Sequence, residues 1–215
     1  MRVFCSTSLI PDHPLVTATE QLNISLIQQP MISYESVANT PLQPFDIIFF
    51  SSPRSYHYGK SLIKPNTLIA CVSTGTKKHI TEPVAWQGQT PGNPKTTALE
   101  FHQWVGKKRV LFPVSDLSLG QITQIFSQDQ IEVVIRYKTL LTPCTVIPCD
   151  VYVFTSPSNV TSFLQLNEIP QKAKVVAWGD STSAALEAYG ISPNISQTTE
   201  NSIPWPEILN SWANP

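Results

Sequence analysis

The sequence predicts an α/β fold built as two similar parallel-sheet lobes, and three observations lead there. The chain nearly repeats itself, its apolar runs are short and rich in Val, Ile and Phe, and helix-compatible segments separate those runs. The repeat is direct: Phe45-Asp46-Ile47-Ile48-Phe49-Phe50-Ser51-Ser52-Pro53 returns as Cys149-Asp150-Val151-Tyr152-Val153-Phe154-Thr155-Ser156-Pro157, 104 residues later. Each copy leads through a polar stretch to a second apolar run, Leu68 to Val72 and Lys174 to Trp178. Those runs end in small hydroxyl residues, Ser73-Thr74-Gly75-Thr76 and Gly179-Asp180-Ser181-Thr182. Thr76 and Thr182 lie 106 apart, so a two-residue insertion aligns the copies. Strand, hydroxyl-rich turn and helix, recurring in order, describe two α/β halves able to face one another.

Strands are expected near 2–5, 24–27, 46–50, 67–72, 109–112, 131–136, 150–154 and 174–178. Helices are expected near 97–105, 118–128, 159–166, 181–189 and 205–212, the last opening on Pro204-Trp205-Pro206 with Ile208, Leu209 and Trp212 on one face. Pro11 and Pro14 truncate a helix near the N-terminus, and 81–95, with Pro83, Pro91 and Pro94, reads as an exposed loop. Gln29 to Glu35 and Val133 to Thr139 are extended in character and read as crossings between halves. The expected domains are therefore a discontinuous lobe of 1–33 and 143–215 that holds both termini, and an inserted lobe of 41–132. Linker strands 34–40 and 133–142 would join them across a shared cleft.

Composition narrows the classes. Charged residues make up only 13% of 215 residues and apolar ones 41%, an ordinary folded chain. No apolar run approaches the roughly 20 residues that span a bilayer, and Met1-Arg2-Val3-Phe4-Cys5 reads as an immediate first strand rather than a signal peptide. Four cysteines (Cys5, Cys71, Cys144, Cys149) show no metal spacing and are expected as free thiols of a cytoplasmic protein. Phe45 to Lys138 holds 11 Lys and Arg against 6 Asp and Glu; the flanks hold 3 against 9. Such asymmetry suits docking of halves or attraction of an anion, with solvated surface the competing reading for most of the lysines, while the lack of basic runs interleaved with aromatics disfavours nucleic acid.

Candidate site residues follow from the repeat. Parallel sheets present ligands at the carboxyl ends of their strands. Ser51-Ser52-Pro53 and Thr155-Ser156-Pro157 stand there, each with proline suited to a first helical turn. Hydroxyls and free helix N–H groups at these corners, and at Thr76 and Thr182, suit a ligand bearing several carboxylates. Helix capping is the competing reading for each serine and threonine. The histidines (His13, His57, His79, His102) are scattered, with surface or packing roles, and no GxSxG, Walker or GxGxxG pattern occurs. Asp116 reads as a cap for the helix expected after it, and Tyr137 as a phenol facing the cleft or an ordinary strand aromatic.

In four places the chain resembles the uroporphyrinogen-III synthase family. Val153-Phe154-Thr155-Ser156-Pro157-Ser158-Asn159-Val160 is similar to its FTSPSAV segment, and Ala177 to Leu186 to its IGPTTAEAL segment. Gly106-Lys107-Lys108-Arg109-Val110-Leu111-Phe112-Pro113 resembles the GKRVLFP strand, and Arg136-Tyr137-Lys138-Thr139 the VYxT linker. Departures are Val114 where many members carry Arg, Ser115 and Ser73 for glycines, Asp180 for proline, and no TRP after Cys5-Ser6-Thr7-Ser8.

The resemblance implies a hydro-lyase of tetrapyrrole and heme biosynthesis that needs no cofactor or metal. It would close hydroxymethylbilane, a linear polycarboxylate, to uroporphyrinogen III with inversion of ring D. Tyr137 would be the catalytic acid. Substrate would be bound by Ser6, Ser52, Arg54, Ser73, Thr74, Thr76, Ser156, Ser158, Asn159, Gly179, Ser181 and Thr182. A monomer is expected, with the upstream hydroxymethylbilane synthase as candidate partner and neither nucleic acid nor membrane. The rival readings are a non-enzymatic two-lobed binding protein for a small anion and an inactive relative serving as a partner-binding subunit.

Overall fold

The computed structural model describes residues 1–90, 93–118, 120–197 and 202–213. The chain begins β1 (Arg2–Cys5), α1 (Pro14–Gln21), β2 (Ser25–Gln28), β3 (Ile32–Ser36), β4 (Ile47–Phe50), α2 (Pro53–Gly59), β5 (Leu68–Cys71) and α3 (Thr74–Lys77). It continues β6 (Val84–Gln87), α4 (Pro94–Val105), β7 (Val110–Ser115), β8 (Ile131–Leu141) and β9 (Val151–Phe154). The last elements are α5 (Pro157–Phe163), β10 (Lys174–Trp178), α6 (Asp180–Ala188), β11 (Ile195–Gln197) and α7 (Trp205–Ala213). Two compact units result, one of Met1–Ser33 with Leu140–Pro215 and one of Tyr34–Thr139.

The first unit carries a five-stranded sheet ordered β11-β10-β9-β1-β2, all pairs parallel. Its central strands are buried on both faces, which is why they read as unbroken apolar runs. Alternation then sorts their side chains. Val3, Cys5, Val151, Val153 and Val176 meet Leu15 and Ala18 of α1 and Trp205, Ile208 and Leu209 of α7. Phe4, Tyr152, Phe154, Val175 and Ala177 meet Val160 and Phe163 of α5 and Leu186 of α6. Trp212 packs against the α7 cluster only in part. The helix behind Pro11 and Pro14 is eight residues long, with His13 as its cap accepting from the Leu15 N–H at 3.1 Å.

The second unit holds a six-stranded sheet ordered β3-β8-β7-β4-β5-β6. The pairs β4–β5, β4–β7, β5–β6 and β7–β8 are parallel. β4 divides in the same way as β9: Ile47 and Phe49 pack with Phe101 and Val105 of α4, Ile48 and Phe50 with Tyr56 of α2. Of the segments read as crossings, Ile32 to Glu35 lies in β3 and Val133 to Thr139 in β8, which pairs with β7 from Val110 to Ser115.

Three expectations are corrected. In place of a helix over 118–128 there is a short 3-10 turn, Thr123–Ile125. Gly120 sits at φ 63°, and Phe126 turns to extended geometry to bury against Phe101 and Phe112. Part of the expected 81–95 loop, Val84–Gln87, is an edge strand on β5; Pro83 is tolerated because it precedes the strand, and Trp86 packs against Phe49 and Phe101. Pro91 lies outside the described residues. Asp116 caps no helix: its carboxylate accepts from the Ser115 hydroxyl and the Thr139 N–H, each at 3.1 Å, tying the ends of β7 and β8. All four cysteines are free. Among the described residues no group of His, Cys, Asp and Glu could hold a metal ion, and no helix is long and apolar enough to cross a membrane.

Candidate active site

In the second unit, β4 delivers Ser52 to the N-terminus of α2. Ser52 is the cap: its Oγ accepts from the Ser55 N–H at 3.0 Å, and the Ser55 hydroxyl accepts from the Ser52 N–H at 3.0 Å. The reciprocal pair satisfies two of the N–H groups that every helix start leaves free. Ser73 does the same after β5, accepting from the Thr76 N–H at 3.4 Å. Thr74 accepts from the Gln87 side chain at 2.8 Å, and Thr76 is buried beneath the turn. Capping is therefore confirmed for both serines. It uses an oxygen lone pair and leaves each hydroxyl proton to be donated elsewhere.

Tyr137 owes its position to a bulge. The β7–β8 register passes from Val114↔Ile135 to Ser115↔Tyr137, skipping Arg136, so two successive side chains are buried where a regular strand would alternate them. The Tyr137 ring stacks on Tyr58 of α2, with centroids 4.9 Å apart and planes at 21°, and meets Tyr34 of β3 edge-on at 6.0 Å. The Arg54 guanidinium lies 3.7 Å above the Tyr34 ring. Burial pushes the Tyr137 phenol above its ordinary pKa, while the Ser52 hydroxyl and Arg54 act in the opposite sense. Burial raises Tyr34 as well, again opposed by Arg54. Tyr137 thus remains a protonated phenol through neutral pH, the form that can give up a proton.

In the first unit the corresponding corner is a hydroxyl–amide network. Ser156 caps α5, its Oγ accepting from the Asn159 N–H at 3.3 Å and the Asn159 side-chain NH₂ at 2.8 Å. That NH₂ also donates to Thr155 Oγ1 at 3.1 Å; Ser6 Oγ accepts from the Thr155 N–H at 3.0 Å and lies 3.4 Å from Thr155 Oγ1. The ends of β1 and β9 and the start of α5 are so joined. Ser6 and Asn159 are buried and Ser158 half-buried. At the second corner Gly179 turns at φ 90° and caps α6 without a side chain, Ser181 is exposed, and buried Thr182 donates to the Trp178 carbonyl at 3.0 Å.

Within the second unit Tyr137, Ser52 and Arg54 share one neighbourhood; within the first, Ser6, Ser156 and Asn159 do. The sequence reading missed Tyr34 and Tyr58; Thr155 stood in its corner motif, but the link of Thr155 to Ser6 and Asn159 did not. A signal for Tyr58 was present, since it stands four residues after Arg54 and so on the same face of the helix that follows the repeat.

These corners belong to a chain whose residues 13–202 match the family model described as Uroporphyrinogen-III synthase HemD. The chain belongs to the uroporphyrinogen-III synthase family. Solved synthases share its fold. One is uroporphyrinogen-III synthetase from Helicobacter pylori 26695, 17% identical, with a TM-score of 0.67 over 98% of this chain and 99% of that one. Another is a mutant uroporphyrinogen III synthase from the extremely thermophilic bacterium Thermus thermophilus, 15% identical, with a TM-score of 0.57 over 99% and 97%. No curated protein matches the chain in sequence.

Proposed function

We propose that this synthase-family chain is a hydro-lyase that converts hydroxymethylbilane to uroporphyrinogen III and water in the cytoplasm, without a cofactor. The observation that carries the reading is Tyr137, a buried phenol kept protonated, in a chain that matches the synthase model over residues 13–202. The substrate's hydroxymethyl oxygen takes the Tyr137 proton and leaves as water, giving an azafulvenium cation and a phenolate. Ring D attacks through its substituted carbon, and the spiro intermediate rearranges to invert that ring. The proton released as the last pyrrole regains aromaticity restores the phenol.

The protein's main task is to hold one folded conformer of a flexible chain, so that this closure outruns the spontaneous one. Hydroxyl protons of Ser52 and Ser156, helix N–H groups and Arg54 are the donors proposed for its carboxylates. Segment Tyr34–Thr139 favours an anion, with 11 Lys and Arg against 7 Asp and Glu. A substrate that also closes without the enzyme makes the upstream hydroxymethylbilane synthase the proposed partner.

Purified protein supplied with enzymatically generated hydroxymethylbilane is expected to give the type III isomer; type I alone would remove the reading. Tyr137→Phe is expected to slow type III formation about 100-fold, the lower range for a lost general acid, with little change in thermal midpoint. An unchanged rate would take Tyr137 out of the mechanism.

A further inference from the structure

We infer that Tyr58 is a positioning residue for Tyr137, its ring fixing the direction in which the phenol presents its proton; this rests on the reading of Tyr137 as the acid. A tyrosine ring at a bulge inside a strand keeps torsional freedom unless a neighbour removes it, and a proton donor that swings loses orientation. Tyr58 supplies the restraint with a near-parallel face 4.9 Å away, and Tyr34 closes a second side edge-on at 6.0 Å.

Tyr58 is itself braced. The buried Arg136 guanidinium donates from Nε to the Tyr58 carbonyl at 3.1 Å, from one terminal nitrogen to the Asn39 carbonyl, and from the other to Ser61 Oγ at 3.3 Å. A buried cation held by carbonyls anchors the backbone at Tyr58 strongly, since moving it would strand the charge. Because of the bulge, Arg136 and Tyr137 are consecutive and both buried. One of them holds the Tyr58 main chain and the next receives its ring. Gly59 completes the brace: a Cβ there would come within 2.7 Å of Pro113 on β7, so the end of α2 sits hard against the sheet. The contact with Tyr137 is made by the ring, which separates Tyr58→Phe from variants that remove it.

The test uses the full chain, with hydroxymethylbilane generated enzymatically, and compares Tyr58→Phe, Tyr58→Leu and Tyr137→Phe. Tyr58→Phe is expected to keep the wild-type rate. Tyr58→Leu is expected to lower kcat for the type III isomer about tenfold with KM within twofold, because the donor is misdirected and not the substrate. The second readout is alkaline ultraviolet titration of Tyr137, isolated by subtracting the same variant in a Tyr137→Phe background. Arg54 of α2, Asp116 at the end of β7, Tyr34 of β3 and Tyr58 are the charged or titratable groups that act on it. Of these only Tyr58 changes, so loss of its ring is expected to let Tyr137 ionise at lower pH. Tyr58→Met, which fills space without a face to stack, is read the same way should the leucine variant not fold. A slow Tyr137→Phe beside ring-less variants of native kcat and unshifted titration overturns this inference alone. A native rate in Tyr137→Phe removes the acid, and the positioning role with it.

Discussion

A serine that caps a helix and a serine that binds a carboxylate use different parts of the same hydroxyl. At Ser156 the oxygen accepts from the Asn159 backbone and side chain, so its lone pairs are engaged while its proton is free. The two roles can be separated by substitution. Ser156→Ala removes both and is expected to lower stability by about 1 kcal/mol, as lost caps do, and to raise KM. Ser156→Asp keeps an acceptor over the helix N-terminus but replaces the donated proton with negative charge. It is expected to hold the wild-type thermal midpoint while KM for hydroxymethylbilane rises at least tenfold. A KM unchanged in both variants would leave Ser156 as a cap alone. The serines were legible from the repeat because caps and ligand corners favour the same residue types at strand ends. Thr155 stood in the same corner, but its work was not legible, since that is to pass a hydrogen bond between Asn159 and Ser6, residues about 150 positions apart in the chain.

Strands buried on both faces announce themselves, whereas elements fixed by a neighbour do not. β4 and β9 read directly as apolar runs because each side chain has a core to enter on one face or the other. β6 hid among prolines, since an edge strand needs partners on only one side and its anchors are few, Trp86 on one face and Val84 on the other. The 118–128 segment has helical spacing, yet Gly120 and the demand of Phe126 for the α4 core unwind it to a 3-10 turn. The β8 bulge that places Tyr137 likewise leaves no mark in the pattern, for its cause is the Arg136 anchorage to α2 and the 37–61 region. That anchorage depends on α2 lying close to β7, which Gly59 permits. Gly59→Ala is expected to destabilise the fold by about 1–3 kcal/mol through overpacking against Pro113, measured by urea denaturation. It should also lower kcat, because Tyr58 is the adjacent residue. A variant as stable as wild type would show that the α2–β7 contact is slack.

At the scale of the whole molecule, a repeat of one strand–turn–helix pattern yields two sheets with four apolar clusters among the described residues, and the thiols and phenols buried in or beside those clusters tie stability to pH. Cys5 is fully enclosed in the α1/α7 face, and burial pushes its thiol up to about 11, opposed in part by a hydrogen bond to the Thr7 backbone. Burial also raises Cys71, Cys149, Tyr34, Tyr137 and Tyr152. Each is neutral when protonated, so the folded state holds protons that the unfolded chain gives up sooner as pH climbs. The sign follows by linkage: below the unfolded pKa both states are protonated and the contribution is fully present, and above it unfolding releases a proton and stability falls. For Cys5 the window runs from the ordinary 9.0 to about 11. Thermal midpoints across that window are expected to decline more steeply in wild type than in Cys5→Ala. The small cavity left by the substitution lowers the midpoint at every pH and so does not affect the slope. Superposable slopes would mean that the Cys5 thiol ionises as readily in the folded protein as in the unfolded chain, and that the β1–β9 core admits solvent.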